Sequence, residues 1–162
     1  MEPAITLLAN QLIEKNLTIA FAESATAGRL CSEFSLVKNA GKFLKGGLAC
    51  YDASLKEELL KVPKELIEKC TPESPEVTKA IADGLCHLIH TDIAVGITGL
   101  CDSGGSESPE KPVGTMFAHG NFRGEQLFAA RKVFTGTPRE VIDQPVEWVI
   151  TLILESLNNI EN

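Results

Sequence analysis

The stretch LTIAFAESATAG, residues 17–28, decides the fold. Leu17 to Ala22 is a short apolar run, and it reads as a buried strand. It ends at Glu23-Ser24. Four small residues follow (Ala25, Thr26, Ala27 and Gly28), and then a helix through about Phe34. A serine at such a strand-to-helix turn projects its hydroxyl from the sheet edge. The N–H groups of the helix start lie beside it and can stabilise an oxyanion or hold an anion. An N-cap role explains a serine here too, and from position alone it is the commoner one.

Working outward, residues 4–15 place Ile5, Leu7, Leu8, Leu12 and Ile13 on one face of an amphipathic helix. Gly46 to Tyr51 reads as a second strand. Helical segments are expected at about Ala53–Leu60 and Lys64–Glu68, either side of a turn at Val62-Pro63. Ser74 followed by Pro75 is a helix start, and that helix carries Val77, Ile81, Leu85, Leu88 and Ile89 on its apolar side. Asp92 to Ile97 is a third strand. Thr98 to Pro109 is rich in Gly, Ser and Asp and reads as a loop. Val113–His119 and Gln126–Phe134 form a hairpin around a turn at 121–124. Residues 138–158 make a last helix, which Pro145 either kinks or opens.

This order implies an α/β fold, a mixed sheet covered by helices. In such sheets ligands gather at the C-terminal ends of strands. The unusual segments Glu23–Gly28, Tyr51–Lys56 and Thr98–Gly105 all fall there.

The chain has 162 residues, 44% of them hydrophobic, enough for one core, and no repeat or linker divides it. A net charge of −7 with scattered Lys and Arg argues against nucleic acid as a partner. The opening MEPAITLLANQLIEKN lacks a basic n-region and a cleavage site, and the apolar runs are too short for a bilayer. Five cysteines without a CxxC pair fit a reducing cytoplasm. No membrane association is expected, and the location expected is cytoplasmic.

The strand-end segments carry the chemistry. Lys56 lies five residues after Tyr51 in the sequence. It can act as a base for Ser24 only if burial or a neighbouring cation lowers its pKa. Tyr51 can relay a proton between the two or orient the lysine; equally, both residues suit an ordinary solvated surface. GITGLCDSGG, residues 96–105, is Gly-rich after a strand and suits either an anion cradle or a plain turn. Lys111 opens the next strand and faces either that pocket or solvent. His87 and His90 have a metal-compatible spacing but no evident third ligand, so no metal is expected. Cys101 in the Gly-rich loop is a conceivable nucleophile without a paired histidine. No Ser-His-Asp triad can be assembled.

AESATAG at 22–28, YDASLK at 51–56, GITG at 96–99 followed by Gly104-Gly105, and KPVGT at 111–115 occur in one order and spacing. Together they resemble the CinA C-terminal domain family, the nicotinamide-nucleotide amidohydrolases, over about residues 4–158. The resemblance implies a three-layer α/β/α sandwich with a sheet of about five strands. It implies one CinA C-terminal-like domain over 1–162, often self-associating. The implied reaction is hydrolysis of the carboxamide of nicotinamide mononucleotide to nicotinate mononucleotide and ammonia, with no cofactor. Ser24 takes the nucleophile's place, with Lys56 and Tyr51 managing its proton. N–H groups near Ala25 and Thr26 become oxyanion donors. Gly28, Thr98, Gly99, Gly104, Gly105, Lys111 and Arg139 complete the expected binding set.

The chain departs from the family pattern. Ala25 replaces Cys, Ala27 replaces Gly, and Asp52-Ala53 replaces Ser-Asn. Residues 100–105 are longer and lack a proline. Thr137-Pro138 stands where Asp-Arg belongs and Ile142 where a second Arg belongs, and Arg139 substitutes only after a one-residue shift. A divergent paralogue that binds without hydrolysis, or a serine hydrolase of another amide, are therefore the competing expectations.

Overall fold

A computed structural model describes residues 3–160. Among them, α1 (Ala4–Glu14) leads into β1 (Ile19–Glu23) and α2 (Arg29–Ser35). After β2 (Leu44–Ala49) come three helices, α3 (Ala53–Glu58), α4 (Lys64–Cys70) and α5 (Pro75–Leu88). The chain ends with β3 (Ile93–Gly99), β4 (Thr115–Phe122), β5 (Glu125–Val133) and α6 (Pro138–Ile160).

The sheet order is β2-β1-β3-β4-β5. β1 pairs parallel with β2 and β3, and β3, β4 and β5 are antiparallel. The sheet is mixed, as the sequence implies. Every residue of β1 is buried, but its two faces differ. Ile19 and Phe21 pack with Leu8, Leu12, Phe34 and Ile153 from α1, α2 and α6. Ala20 and Ala22 pack with Val77, Ile81 and Leu85 of α5. Large side chains on one face and alanines on the other let α5 lie close to the sheet. Each fully buried Phe or Leu contributes about 1.5–3 kcal/mol of transfer free energy. The result is an α/β/α sandwich of three layers.

Several boundaries move. Thr98 and Gly99 continue β3 rather than opening the loop, because Gly99 still pairs with Met116. β2 begins at Leu44, earlier than its glycines suggest, since Leu44 pairs with Ile19. Pro145 sits inside α6 and is buried there, so it does not open the helix. Ser74 does cap α5, accepting from Val77 N–H. Among the described residues no helix is long and apolar enough to cross a membrane.

The topology points to one end of the sheet. The chain runs from β1 outward to β2, then crosses back to β3 on β1's other side. That reversal opens a crevice beyond the C-terminal ends of β1 and β3.

Candidate active site

Ser24 sits in that crevice, one residue beyond β1. Its N–H donates to Ile97 O at 3.0 Å, and the preceding carbonyl, of Glu23, accepts from Cys50 N–H at 2.8 Å. Ser24 is thus fixed between the ends of the two neighbouring strands. It does not cap α2: the N-cap position is Gly28. Ser24 is 6% exposed, and its hydroxyl has no hydrogen bond within the described residues. It lines a cleft of about 250 Å³ with Ala25, Tyr51, Glu73, Gly99 and the 100–105 loop.

The capping work falls to Glu23. This carboxylate is fully buried. It accepts from Thr26 Oγ1 at 2.6 Å, Gly28 N at 3.1 Å, Leu30 N at 2.9 Å and Cys31 N at 2.9 Å. An internal anion therefore occupies the start of α2, complementing both its open donors and its dipole. Thr26 and Gly28 hold this carboxylate and do not line the cleft. The Ala25 and Thr26 N–H groups, in contrast, have no acceptor within the described residues. Ala27 takes a left-handed φ of 49° to make the turn.

Lys56 is buried, at 1% exposure, against the usual habit of lysine. Asp52 starts the helix that carries it, accepting from Ser54 N–H at 2.8 Å; this hydrogen bonding holds the Asp52 carboxyl below its ordinary range. Lys56 Nζ donates to Cys50 O at 3.0 Å and to Tyr51 O at 3.3 Å. Cys50 follows β2 as Ser24 follows β1, across a parallel pair, so the amine is held at the end of the strand that adjoins β1. Burial pushes the Lys56 pKa down, while Cys50, Glu73 and Asp52 pull it back up. Two N–H groups bound to carbonyls leave one tetrahedral position on the nitrogen. On a neutral amine that position is a lone pair. No hydrogen bond joins Lys56 Nζ to Ser24 Oγ in the structure.

Tyr51 meets Lys56 through its carbonyl, not its phenol. The side chain is 69% exposed at the mouth of the cleft. Cys101 lines the same cleft, but its thiol donates to Ala25 O at 3.3 Å. Burial, then Asp102 and Glu73, push its pKa up to about 11, so it is no thiolate nucleophile at neutral pH.

The Gly-rich loop folds on its own acids. Ser103 N–H donates to Asp102 at 2.7 Å and Gly104 N–H to Glu107 at 2.8 Å. Gly104 and Gly105 line the cleft, yet the Gly104 amide already has its anion. Lys111 straps the loop to the 71–73 segment, donating to Thr71 Oγ1 (2.7 Å), Glu73 O (2.9 Å) and Ser106 Oγ (2.7 Å). Thr98 is buried and shares a 2.8 Å hydrogen bond with Thr78. Arg139 lies in a different cleft with Arg29, where Asp143 meets both guanidinium groups. Of the expected set, Ser24, Ala25, Tyr51, Gly99, Gly104 and Gly105 line the serine cleft; Lys56 does not line it and reaches only the Cys50 and Tyr51 carbonyls. Thr26, Gly28, Thr98 and Lys111 brace it from behind. Glu23 and Glu73 were not singled out in the sequence. The signal for Glu23 was an acid ending an apolar strand, where only a partnered charge can stay.

The model of the CinA C-terminal domain matches residues 2–157. The chain belongs to the CinA C-terminal domain family. A CinA-like protein of Petrotoga mobilis is 39% identical over 131 residues, which is 80% of this chain and 32% of that one. A CinA-like protein of Leptospira biflexa is 34% identical over 91% of this chain and 35% of that one. This chain spans about a third of the length of the curated relatives it matches. A CinA superfamily protein of Klebsiella pneumoniae superposes with a TM-score of 0.91 at 27% identity, covering 96% of both chains.

Proposed function

We propose that this CinA domain is a serine amidohydrolase acting on the carboxamide of nicotinamide mononucleotide. The observation that carries the reading is a Ser24 hydroxyl that has no hydrogen-bond partner among the described residues and opens onto a cleft, with a buried lysine, its pKa lowered by burial, held at the end of the adjoining strand. Neutral Lys56 takes the hydroxyl proton through its remaining lone pair. Ser24 Oγ then attacks the amide carbon. The N–H of Ala25, which lines the cleft, holds the oxyanion. Lys56 returns the proton to the departing nitrogen, releasing ammonia, and water cleaves the acyl-enzyme to the carboxylic acid. Contacts of this kind often close only around substrate, consistent with the open Ser24–Lys56 pair.

Tyr51 supplies an aromatic face at the mouth of the cleft rather than a proton relay. Release of ammonia from nicotinamide mononucleotide, abolished in Ser24→Ala, tests the reading. A second reading, a paralogue that binds without hydrolysis, has one observation in its favour: Lys56 Nζ is bound to two carbonyls and not to Ser24. Turnover on the order of 1 per second excludes it.

A further inference from the structure

The geometry points to a second binding site, in the hollow between the start of α5 and the β4–β5 hairpin. It takes a single-ring molecule whose O–H or N–H group donates to His119 Nδ1. The hollow shares no lining residue with the Ser24 cleft.

The sheet leaves the space. α5 packs over β1 and β3, and most of β5 stays exposed beyond it. His119 on β4 has Gly96 of β3 on one side and Ala129 of β5 on the other. α5 closes on Gly96, where an added Cβ would come within 2.7 Å of Thr78 O. Ala129 carries only a methyl group and is exposed, so a hollow of about 210 Å³ opens beside it. A cavity of about 150 Å³ is enough for a benzene ring. Pro75 and Ala130 make apolar wall. Thr78 adds no donor, because its hydroxyl is spent on Ser74 O at 2.6 Å. Phe117 and Arg131, paired across the strands, form one end, with the guanidinium carbon 6.0 Å from the ring centre.

His119 sets the chemistry, and it is 3% exposed. Asn121 Nδ2 donates to Asp83 Oδ1 at 2.9 Å and to Cys86 Sγ at 3.8 Å. That turns Asn121 Oδ1, an acceptor only, to His119 Nε2 at 3.0 Å. Nε2 therefore carries the proton, and the neutral ring keeps a bare lone pair on Nδ1. Burial, which lowers the His119 pKa, favours that neutral ring. Among the described residues Nδ1 has no hydrogen-bond partner, and no sealed side-chain nitrogen or oxygen is left without one. Nδ1 thus opens to the hollow that His119 lines. Among the described residues no second metal-ligating side chain lines this hollow, and Arg131 repels a cation. An acceptor held in one direction by its neighbours, in a mostly apolar wall, selects a ligand that brings a donor.

Phenol and toluene separate this site from a plain apolar hollow. They have nearly the same shape, and toluene gains more from leaving water. Calorimetry on the full chain is expected to show phenol binding about tenfold tighter than toluene. Saturation with phenol should move the Nδ1 nitrogen resonance of His119 upfield, as expected of a lone pair that accepts a donor. Ala129→Leu fills the hollow from an exposed strand position and leaves the chain from Asp83 through Asn121 to His119 intact. It should weaken phenol binding about tenfold or more. Four results overturn the inference: no saturable phenol binding, toluene bound as tightly as phenol, phenol affinity unchanged in Ala129→Leu, or phenol saturation that leaves the His119 resonance in place.

Discussion

Lys56 is the residue on which the chemistry turns. A buried lysine with a lowered pKa is neutral over a wider pH range than a surface one. Activity should therefore rise with pH and level off below the ordinary lysine value of about 10.4. Lys56→Met should remove this limb along with the activity, as read from kcat/KM between pH 6 and 10. Tyr51 should behave differently, because only its carbonyl touches Lys56. Tyr51→Phe should keep kcat within about twofold, since a general acid or base is worth about a hundredfold or more. Tyr51→Ala should raise KM more than it lowers kcat. A large loss of kcat in Tyr51→Phe would restore the phenol as a proton relay. Ser24 and its neighbours were legible in the sequence as motif positions. The burial of Lys56 and the role of Glu23 were not, because a lysine seven residues after the end of β2 looks like any helix surface residue until α3 packs.

At the scale of elements, the turn between β1 and α2 carries strain and its compensation together. Ala27 adopts a left-handed φ that costs an ordinary residue about 1 kcal/mol or more. Ala27→Gly should stabilise the protein by about 0.5–1 kcal/mol, after the extra unfolded-state entropy of glycine is counted. Thermal or urea unfolding measures this. Glu23→Gln should do the reverse. It removes the charge and turns one acceptor into a donor facing amide N–H groups, at a cost of about 2–4 kcal/mol.

Strands and helices were readable because their apolar spacing is regular, as in the alternation of Ile19 and Phe21 against Ala20 and Ala22. The loop at 100–110 was not. Gly, Ser and Asp announce a turn there, but they do not say that Asp102, Glu107 and Lys111 will consume its polar groups. Gly114 shows the same limit. An added Cβ there would come within 1.9 Å of Phe134 O, a contact between residues far apart in the chain.

Across the whole molecule, a buried polar network crosses from the sheet to α5. His119 is buried in β4 and bonds Asn121 at 3.0 Å, which in turn donates to Asp83 at 2.9 Å. Burial lowers the His119 pKa. The unfolded chain therefore takes up the proton first as pH falls. Stability from this group is full above the unfolded value of about 6.5 and is lost progressively below it, down to the lowered folded value. The pH dependence of unfolding free energy in this window should be flatter in His119→Gln than in the parent protein. Asp83 and Asp92, both held low in the folded state, lose their contribution only as pH falls below about 4. The two windows can be read from one series of urea titrations.

A mixed sheet covered by helices follows from the sequence's order of strands and helices; the three-layer α/β/α sandwich and the family follow from the resemblance carried by four motifs in register. Which polar groups are left free at the sheet edge depends on contacts between distant segments, and those decide what the cleft can hold. The central claim is that Ser24 is the nucleophile of an amide hydrolysis. Ammonia release from nicotinamide mononucleotide, followed in parallel for the parent protein and a folded Ser24→Ala variant, tests it most directly. Turnover is expected in the first and a loss of at least about a thousandfold, on the order expected for removing a nucleophile, in the second. Ammonia release that persists unchanged in Ser24→Ala would contradict it.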